Sequence, residues 1–146
     1  MLCFPLLRGR DLALRVLIAD DEPAHVFLLE MFLKKWGYDV ISTDSGTEAW
    51  QILRPKDGPR LAILDWEMPG MGGLEICEKV RKAEEHPYIY ILLLTARAQQ
   101  TDILKGTAAG ADAYVTKPYD PEELRGRLLI ACRILESADL PPFACP

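Results

Sequence analysis

Residues 62–75 read AILDWEMPGMGGLE. An apolar run without polar alternation, Leu61 to Leu64, delivers a carboxylate, Asp65, straight into a bend built from Pro and Gly. A strand that is apolar on both faces suits a parallel sheet covered by helices on each side, because only there are both faces buried. Met68-Pro69-Gly70-Met71 puts Pro and Gly at the central positions of a type II turn. Helical spacing resumes at Leu74. The stretch is a strand, a turn and a helix, with Asp65 at the hinge. Asp65 is either a polar strand stop or a group placed to react, and the turn is compatible with both.

The same unit recurs along the chain. Strands are expected at 15–19 (RVLIA), 38–42 (YDVIS), 61–64 (LAIL), 88–94 (YIYILLL) and 113–115 (AYV). Helices are expected at 23–36, 45–53, 74–85, 100–110 and 121–137. In the first, His25, Leu28, Leu29, Phe32 and Trp36 fall on one face, with Pro23 in the opening turn and Gly37 as a stop. Ser45 with Glu48 three residues on reads as a capping box for the second helix. Glu75–Lys79 and Glu78–Lys82 have supportive spacing in the third, and Gly110 stops the fourth. Alternating strands and helices give an α/β fold, an open parallel sheet doubly wound by helices on both faces through right-handed crossovers. Ligands bind such sheets beyond the carboxyl ends of the strands.

The chain of 146 residues suits one domain, and 49% hydrophobic with 27% charged residues reads as a folded globule. The net charge of −5 and the lack of a Lys/Arg cluster exclude direct nucleic-acid binding. No apolar run approaches the roughly 18 residues of a membrane span. In the opening MLCFPLLRGRDLALR the charge follows the apolar stretch and Pro5 interrupts it, unlike a signal peptide. We expect residues 1–13 to be a tail, 14–137 the domain, and 138–146 a second tail. Cys3, Cys77, Cys132 and Cys145 form no C-x-x-C pair, and His25 and His86 sit in no ligand spacing. Zinc is therefore not expected, and reduced thiols in a cytoplasmic protein are.

The strand ends carry the chemistry. The first strand ends in Asp20-Asp21-Glu22, the third in Asp65, the fourth in Thr95, and the fifth runs into Thr116-Lys117-Pro118. Singly, Asp20-Asp21 could cap a helix, Thr95 a turn, Lys117 could be a surface charge, and Tyr114 a packed aromatic with a wet tip. Together they share the rim where this fold builds sites. If the first and third strands are neighbours, three carboxylates crowd there. Like charges near 4 Å repel by about 4 kcal/mol at an effective dielectric of 20. Oxygen-only ligands favour Mg²⁺, which keeps several waters and takes a phosphate partner. A divalent cation, a lysine and a hydroxyl around one carboxylate can stabilise a transferring phosphoryl group, with Asp65 as nucleophile. The turn after Asp65 can hold the Glu67 backbone carbonyl toward the ion.

In this order and spacing, LIADDE, AILDWEMPGMGGLE, LLLTAR and GADAYVTKPYDPEEL resemble the receiver domain of two-component response regulators, over residues 14–137. The resemblance implies a flavodoxin-like strand order 2-1-3-4-5, Asp65 as phosphoacceptor, and bound Mg²⁺. Asp21, Asp65 and the Glu67 carbonyl are then direct metal ligands and Asp20 acts through water. Lys117 is the phosphoryl-binding lysine, and Lys117-Pro118 carries a cis bond. The phosphodonor would be a sensor histidine kinase or a phosphotransfer protein. The domain is then no turnover enzyme; its chemistry is self-catalysed phosphoryl transfer and autodephosphorylation. Phosphorylation adds charge at Asp65, Thr95 swings toward it, and Tyr114 fills the vacated space. That biases the surface of the fourth helix, fifth strand and fifth helix, which is expected to dock an output partner or a second copy. Leu124, Leu128, Ala131 and Leu135 make a core stripe on the last helix, while Ile130 and Ile134 lie round the side. A wide core face explains those two isoleucines equally well.

Gly72 and Ala113 stand where such receivers often carry Asp. Glu67 and Arg97, each two residues beyond Asp65 and Thr95, are expected to pair across the site and lengthen the phosphoryl lifetime. Two alternatives are a receiver-shaped module that is never phosphorylated and a haloacid dehalogenase-type phosphatase. The latter would use Asp65-Trp66-Glu67 in place of its D-x-D, but after the third strand and without a cap domain.

Overall fold

The computed structural model describes residues 13–137; the two expected tails lie outside the described residues except for Ala13, which forms a β-bridge. Five strands, β1 Arg15–Ala19, β2 Asp39–Thr43, β3 Leu61–Leu64, β4 Tyr90–Thr95 and β5 Ala113–Thr116, alternate with five helices. The helices are α1 Pro23–Lys35, α2 Gly46–Leu53, α3 Gly73–Lys82, α4 Gln100–Ala109 and α5 Pro121–Ser137. All pairings are parallel and the sheet order is β2-β1-β3-β4-β5.

Strand alternation divides the interior into two cores. Val16, Ile18, Leu61, Ile63, Leu92 and Leu94 face one side, under α1 and α5, where Leu29, Leu33, Leu124 and Leu128 close over them. Leu17, Ala19, Ala62, Leu64, Ile91 and Leu93 face the other, under Leu53, Ile76, Cys77 and Ala109. Leu61–Leu64 is buried throughout, as an unbroken apolar strand in a doubly covered sheet must be. Burial pushes the Cys77 thiol up to about 12, so it packs as a small hydrophobe. Among the described residues no helix is long and apolar enough to cross a membrane.

Several local readings differ from the structure. The buried residues of α1 are Leu29 and Leu33, with Trp36 just beyond, whereas Leu28 is 40% exposed beside Phe27 and Met31. The core face is rotated by about 50° from the expected one, counting 3.6 residues per turn. That rotation brings Leu33 inward and leaves His25 at the edge nearest the strand ends. Ser45 caps α2 by accepting from the Glu48 N–H, but the Glu48 carboxylate accepts from the Thr43 hydroxyl instead of returning to Ser45. No ion pair links Glu75 to Lys79 or Glu78 to Lys82 among the described residues; Lys79 lies over the Trp50 ring. Gly70 has a positive φ of 85°, but the Met71 N–H donates to the Pro69 carbonyl at 3.0 Å, so the bend is a γ-turn centred on Gly70 instead of the expected type II turn; Gly110 ends α4 at φ 115°.

After α3, Glu85 sits at φ 61°, a left-handed conformation that a side chain with a Cβ resists. Glu85→Gly should raise the unfolding free energy by about 0.5–1 kcal/mol, read from urea midpoints. A drop would mean that the Glu85 side chain contributes more than its backbone strain costs.

Candidate functional site

The carboxyl ends of four strands meet at one rim, where the ladder continues one peptide beyond β1, β3 and β5. The Asp65 N–H donates to the Ala19 carbonyl at 2.9 Å, the Asp20 N–H to Thr43 at 3.2 Å, and the Lys117 N–H to Thr95 at 2.8 Å. Order β2-β1-β3 places the reversal of strand order between β1 and β3, which is where Asp20 and Asp65 stand side by side. Gly73 lets α3 start hard against this point: a Cβ there would lie 2.4 Å from the Asp65 carbonyl oxygen.

One carboxylate oxygen each from Asp20, Asp21 and Asp65 lies within 4.8 Å of the others. Asp20 is 2% exposed. Its Oδ1 accepts from the Glu22 N–H at 2.9 Å, which braces the turn into α1, while Oδ2 faces Lys117. Asp65 Oδ1 accepts from the Trp66 N–H at 2.6 Å and Oδ2 faces Lys117. The Lys117 ammonium lies 2.8 Å from Asp20 and 3.2 Å from Asp65. Burial works to lower its pKa, but the Asp20 hydrogen bond and the Asp65 charge outweigh that and hold it above the ordinary lysine value. The Lys117–Pro118 bond is cis.

Thr95 and Tyr114 converge on one residue. The Arg97 N–H donates to Thr95 Oγ1 at 3.3 Å, and the Tyr114 hydroxyl donates to the Arg97 carbonyl at 2.8 Å. Burial raises the Tyr114 pKa. The Arg97 guanidinium bonds Glu67 at 2.6 Å and Asp102 on α4 at 3.3 Å, and stacks 4.7 Å from the centre of the Trp66 ring. The expected Glu67–Arg97 pair is thus present, spanning a cleft of about 470 Å³ above Asp65.

The structure therefore brings together every residue expected at the rim: Asp20, Asp21, Asp65, Glu67, Thr95, Arg97, Tyr114 and Lys117. It adds three that the sequence reading missed. Trp66 and Tyr114 meet edge to face with centroids 6.3 Å apart. Asp102 ties Arg97 to α4, and its place three residues into a helix gave no sign of that. His25 Nδ1 lies 2.9 Å from Lys117 Nζ. Its position one turn into the helix after Asp20-Asp21 was the available signal, obscured by assigning it to the core face.

Residues 16–129 match the profile of the response regulator receiver domain. The uncharacterized transcriptional regulatory protein YrkP of Bacillus subtilis is 39% identical over 122 residues, 84% of this chain and 51% of its own length. The chain spans about half the length of the curated relatives it matches. A CheY-like response regulator receiver domain protein from Methanospirillum hungatei has a TM-score of 0.73 at 27% identity, covering 87% of this chain and 97% of that one. The receiver domain of a sensor histidine kinase from Pseudomonas aeruginosa, with a magnesium ion coordinated in its active site cleft, has a TM-score of 0.68 at 26% identity, covering 86% and 96%.

Proposed function

The chain belongs to the response regulator receiver domain family, and from that premise we propose that it accepts a phosphoryl group on Asp65 and passes the change to an output through α4, β5 and α5. The observation that carries this reading is the Lys117 ammonium within hydrogen-bond reach of both Asp20 and Asp65, in a pocket where three carboxylates crowd.

An Asp65 carboxylate oxygen attacks phosphorus. The P–N bond to a donor histidine, on a sensor kinase or phosphotransfer protein, breaks, and the imidazole leaves with the bonding pair. The Lys117 ammonium follows the negative charge onto the phosphoryl oxygens, and the Thr95 hydroxyl, buried beside it, supplies a further donor. The donor set fits a hard divalent cation, since it is all carboxylate oxygen. Asp21, Asp65 and the Glu67 backbone carbonyl would hold Mg²⁺ directly and Asp20 through water. When bound, the ion supplies positive charge to offset that of the transferring group. Stoichiometric labelling by a small acyl phosphate with Mg²⁺, seen as one phosphoryl group of added mass, tests the reading. A chain that stays unlabelled would be a receiver-shaped interaction module instead. Steady turnover of phosphate esters would point to a phosphatase.

Loss of the group is hydrolysis of the same bond. The Glu67–Arg97 bridge lies over the approach to Asp65 and would obstruct the attacking water. It is largely exposed, so its hold on the loop is modest. Glu67→Ala with Arg97→Ala should shorten the phosphoryl lifetime by about two- to five-fold. An unchanged or longer lifetime counts against this role.

Signal transfer would start where Thr95 and Tyr114 share Arg97. If Thr95 turns to the phosphoryl group, it releases the Arg97 N–H, and the Arg97 carbonyl that Tyr114 holds moves with it. Arg97 also holds Asp102, so α4 is coupled to the same peptide. Ile103 and Leu104 on α4 and Ile130 and Ile134 on α5 are exposed, and they suit an output partner or a second copy. Ile130→Glu with Ile134→Glu should weaken self-association or partner binding by about ten-fold or more without lowering the melting temperature. Unchanged association would leave these side chains as solvated surface with no docking role.

A further inference from the structure

Lys117 Nζ carries three protons, and three acceptors surround it: Asp20 Oδ2 at 2.8 Å, His25 Nδ1 at 2.9 Å and Asp65 Oδ2 at 3.2 Å. An ammonium only donates. His25 Nδ1 must therefore present its lone pair, which puts the ring proton on Nε2, the nitrogen 3.7 Å from Glu22 Oε1. The 3.5 Å between His25 Nδ1 and Asp20 Oδ2 is then the separation of two acceptors that share one donor.

We propose that His25 is a positioning residue for Lys117, taking its third proton and so holding Nζ between Asp20 and Asp65, where phosphoryl oxygens would arrive. The inference rests on Asp65 as the phosphoryl acceptor. The physical need comes from the lysine stem. It is long and flexible, and it reaches from the end of β5 to the end of β1. Two carboxylates fix two of its protons. The third points toward the wall that Lys117 and His25 share between the acidic cleft and an apolar groove of about 540 Å³, lined by Leu28, Leu29, Phe32 and Tyr119. Without the imidazole, that proton would face hydrocarbon, and the ammonium would turn to find another partner.

The test compares wild type, His25→Leu and His25→Asn, using a small acyl phosphate with Mg²⁺ so that no partner docking enters. The Asn side-chain oxygen can stand where Nδ1 stands. His25→Leu should slow labelling about five-fold, the worth of one hydrogen bond, and His25→Asn should return it to within about two-fold of wild type. A second readout needs neither metal nor turnover. In the metal-free wild type, imidazole nitrogen spectra should show the proton on Nε2 alone, and the Lys117 ammonium should give a slowly exchanging ¹H–¹⁵N signal. That signal should vanish in His25→Leu and persist in His25→Asn. Equal labelling rates for all three proteins, or a ring protonated on Nδ1, would overturn the role of His25. A wild type that takes no label yet shows the expected tautomer and ammonium signal would overturn the acceptor reading and leave the positioning intact.

Discussion

Asp65→Asn should give a folded protein that takes no phosphoryl group from a small acyl phosphate with Mg²⁺, a loss beyond about a thousand-fold. The amide matches the carboxylate in shape, but its single oxygen can replace only one of the two acceptors, the one facing the Trp66 N–H or the one facing Lys117. It has no anionic oxygen to attack phosphorus. Folding should survive, because two opposing changes nearly offset. One charge leaves a crowd in which each like pair near 4 Å costs about 4 kcal/mol at an effective dielectric of 20, and one ionic partner of Lys117 leaves with it. Intact-mass measurement and a thermal melt on the same sample separate chemistry from stability. Labelling of the variant at wild-type rate would move the acceptor elsewhere and sink the proposed function.

Lys117→Met should have the second-largest effect, and on two quantities. Labelling should slow by about a hundred-fold, as when one preorganised donor to a charged transition state is removed. Metal-free stability should fall by about 2–4 kcal/mol, because Asp20, with a side chain 3% exposed, is left without its cation. Mg²⁺ should then stabilise the variant more than wild type, since the ion replaces the missing charge. The pH dependence has a definite sign. Lys117 has a pKa above its ordinary value, so its contribution is complete below the unfolded-state lysine value. It fades only as pH rises through the higher folded value. The gap between wild type and variant should stay constant across the neutral range and narrow in strong alkali. Urea titrations at several pH values, with and without Mg²⁺, measure both. A stability gap that closes on passing from pH 8 to pH 6 would contradict this account of the pair.

Most of the rim was legible because period and punctuation are local. Leu61–Leu64 is apolar on both faces, and the turn that follows can put Asp65 only at a strand end. The same reasoning found Asp20, Asp21, Thr95 and Lys117, each just inside or beyond an apolar run. The Glu67–Arg97 pair was also within reach, since Glu67 stands two positions past Asp65 and Arg97 two past Thr95, at the ends of neighbouring strands. Contacts that depend on rotation about a helix axis were not. In α1 almost every position from Val26 to Leu33 is apolar, so periodicity could not distinguish the face that Leu33 completes from the one that Leu28 shares. His25 was misassigned for that reason. Trp66 and Asp102 meet Arg97 across three different loops and helices, a coincidence that no spacing records.

By itself the sequence determined the alternation of strands and helices, the doubly covered sheet, and which residues stand at the strand ends, because backbone geometry turns residue type and period into position. Tertiary structure alone decided which side chains touch there. Asp20, Asp65 and His25 become three acceptors around one ammonium only when β1, β3 and β5 end on the same rim and α1 takes a particular rotation over the sheet. That rotation is set by how Leu29, Leu33 and Trp36 pack against the core, a property of the whole interior that no local segment contains.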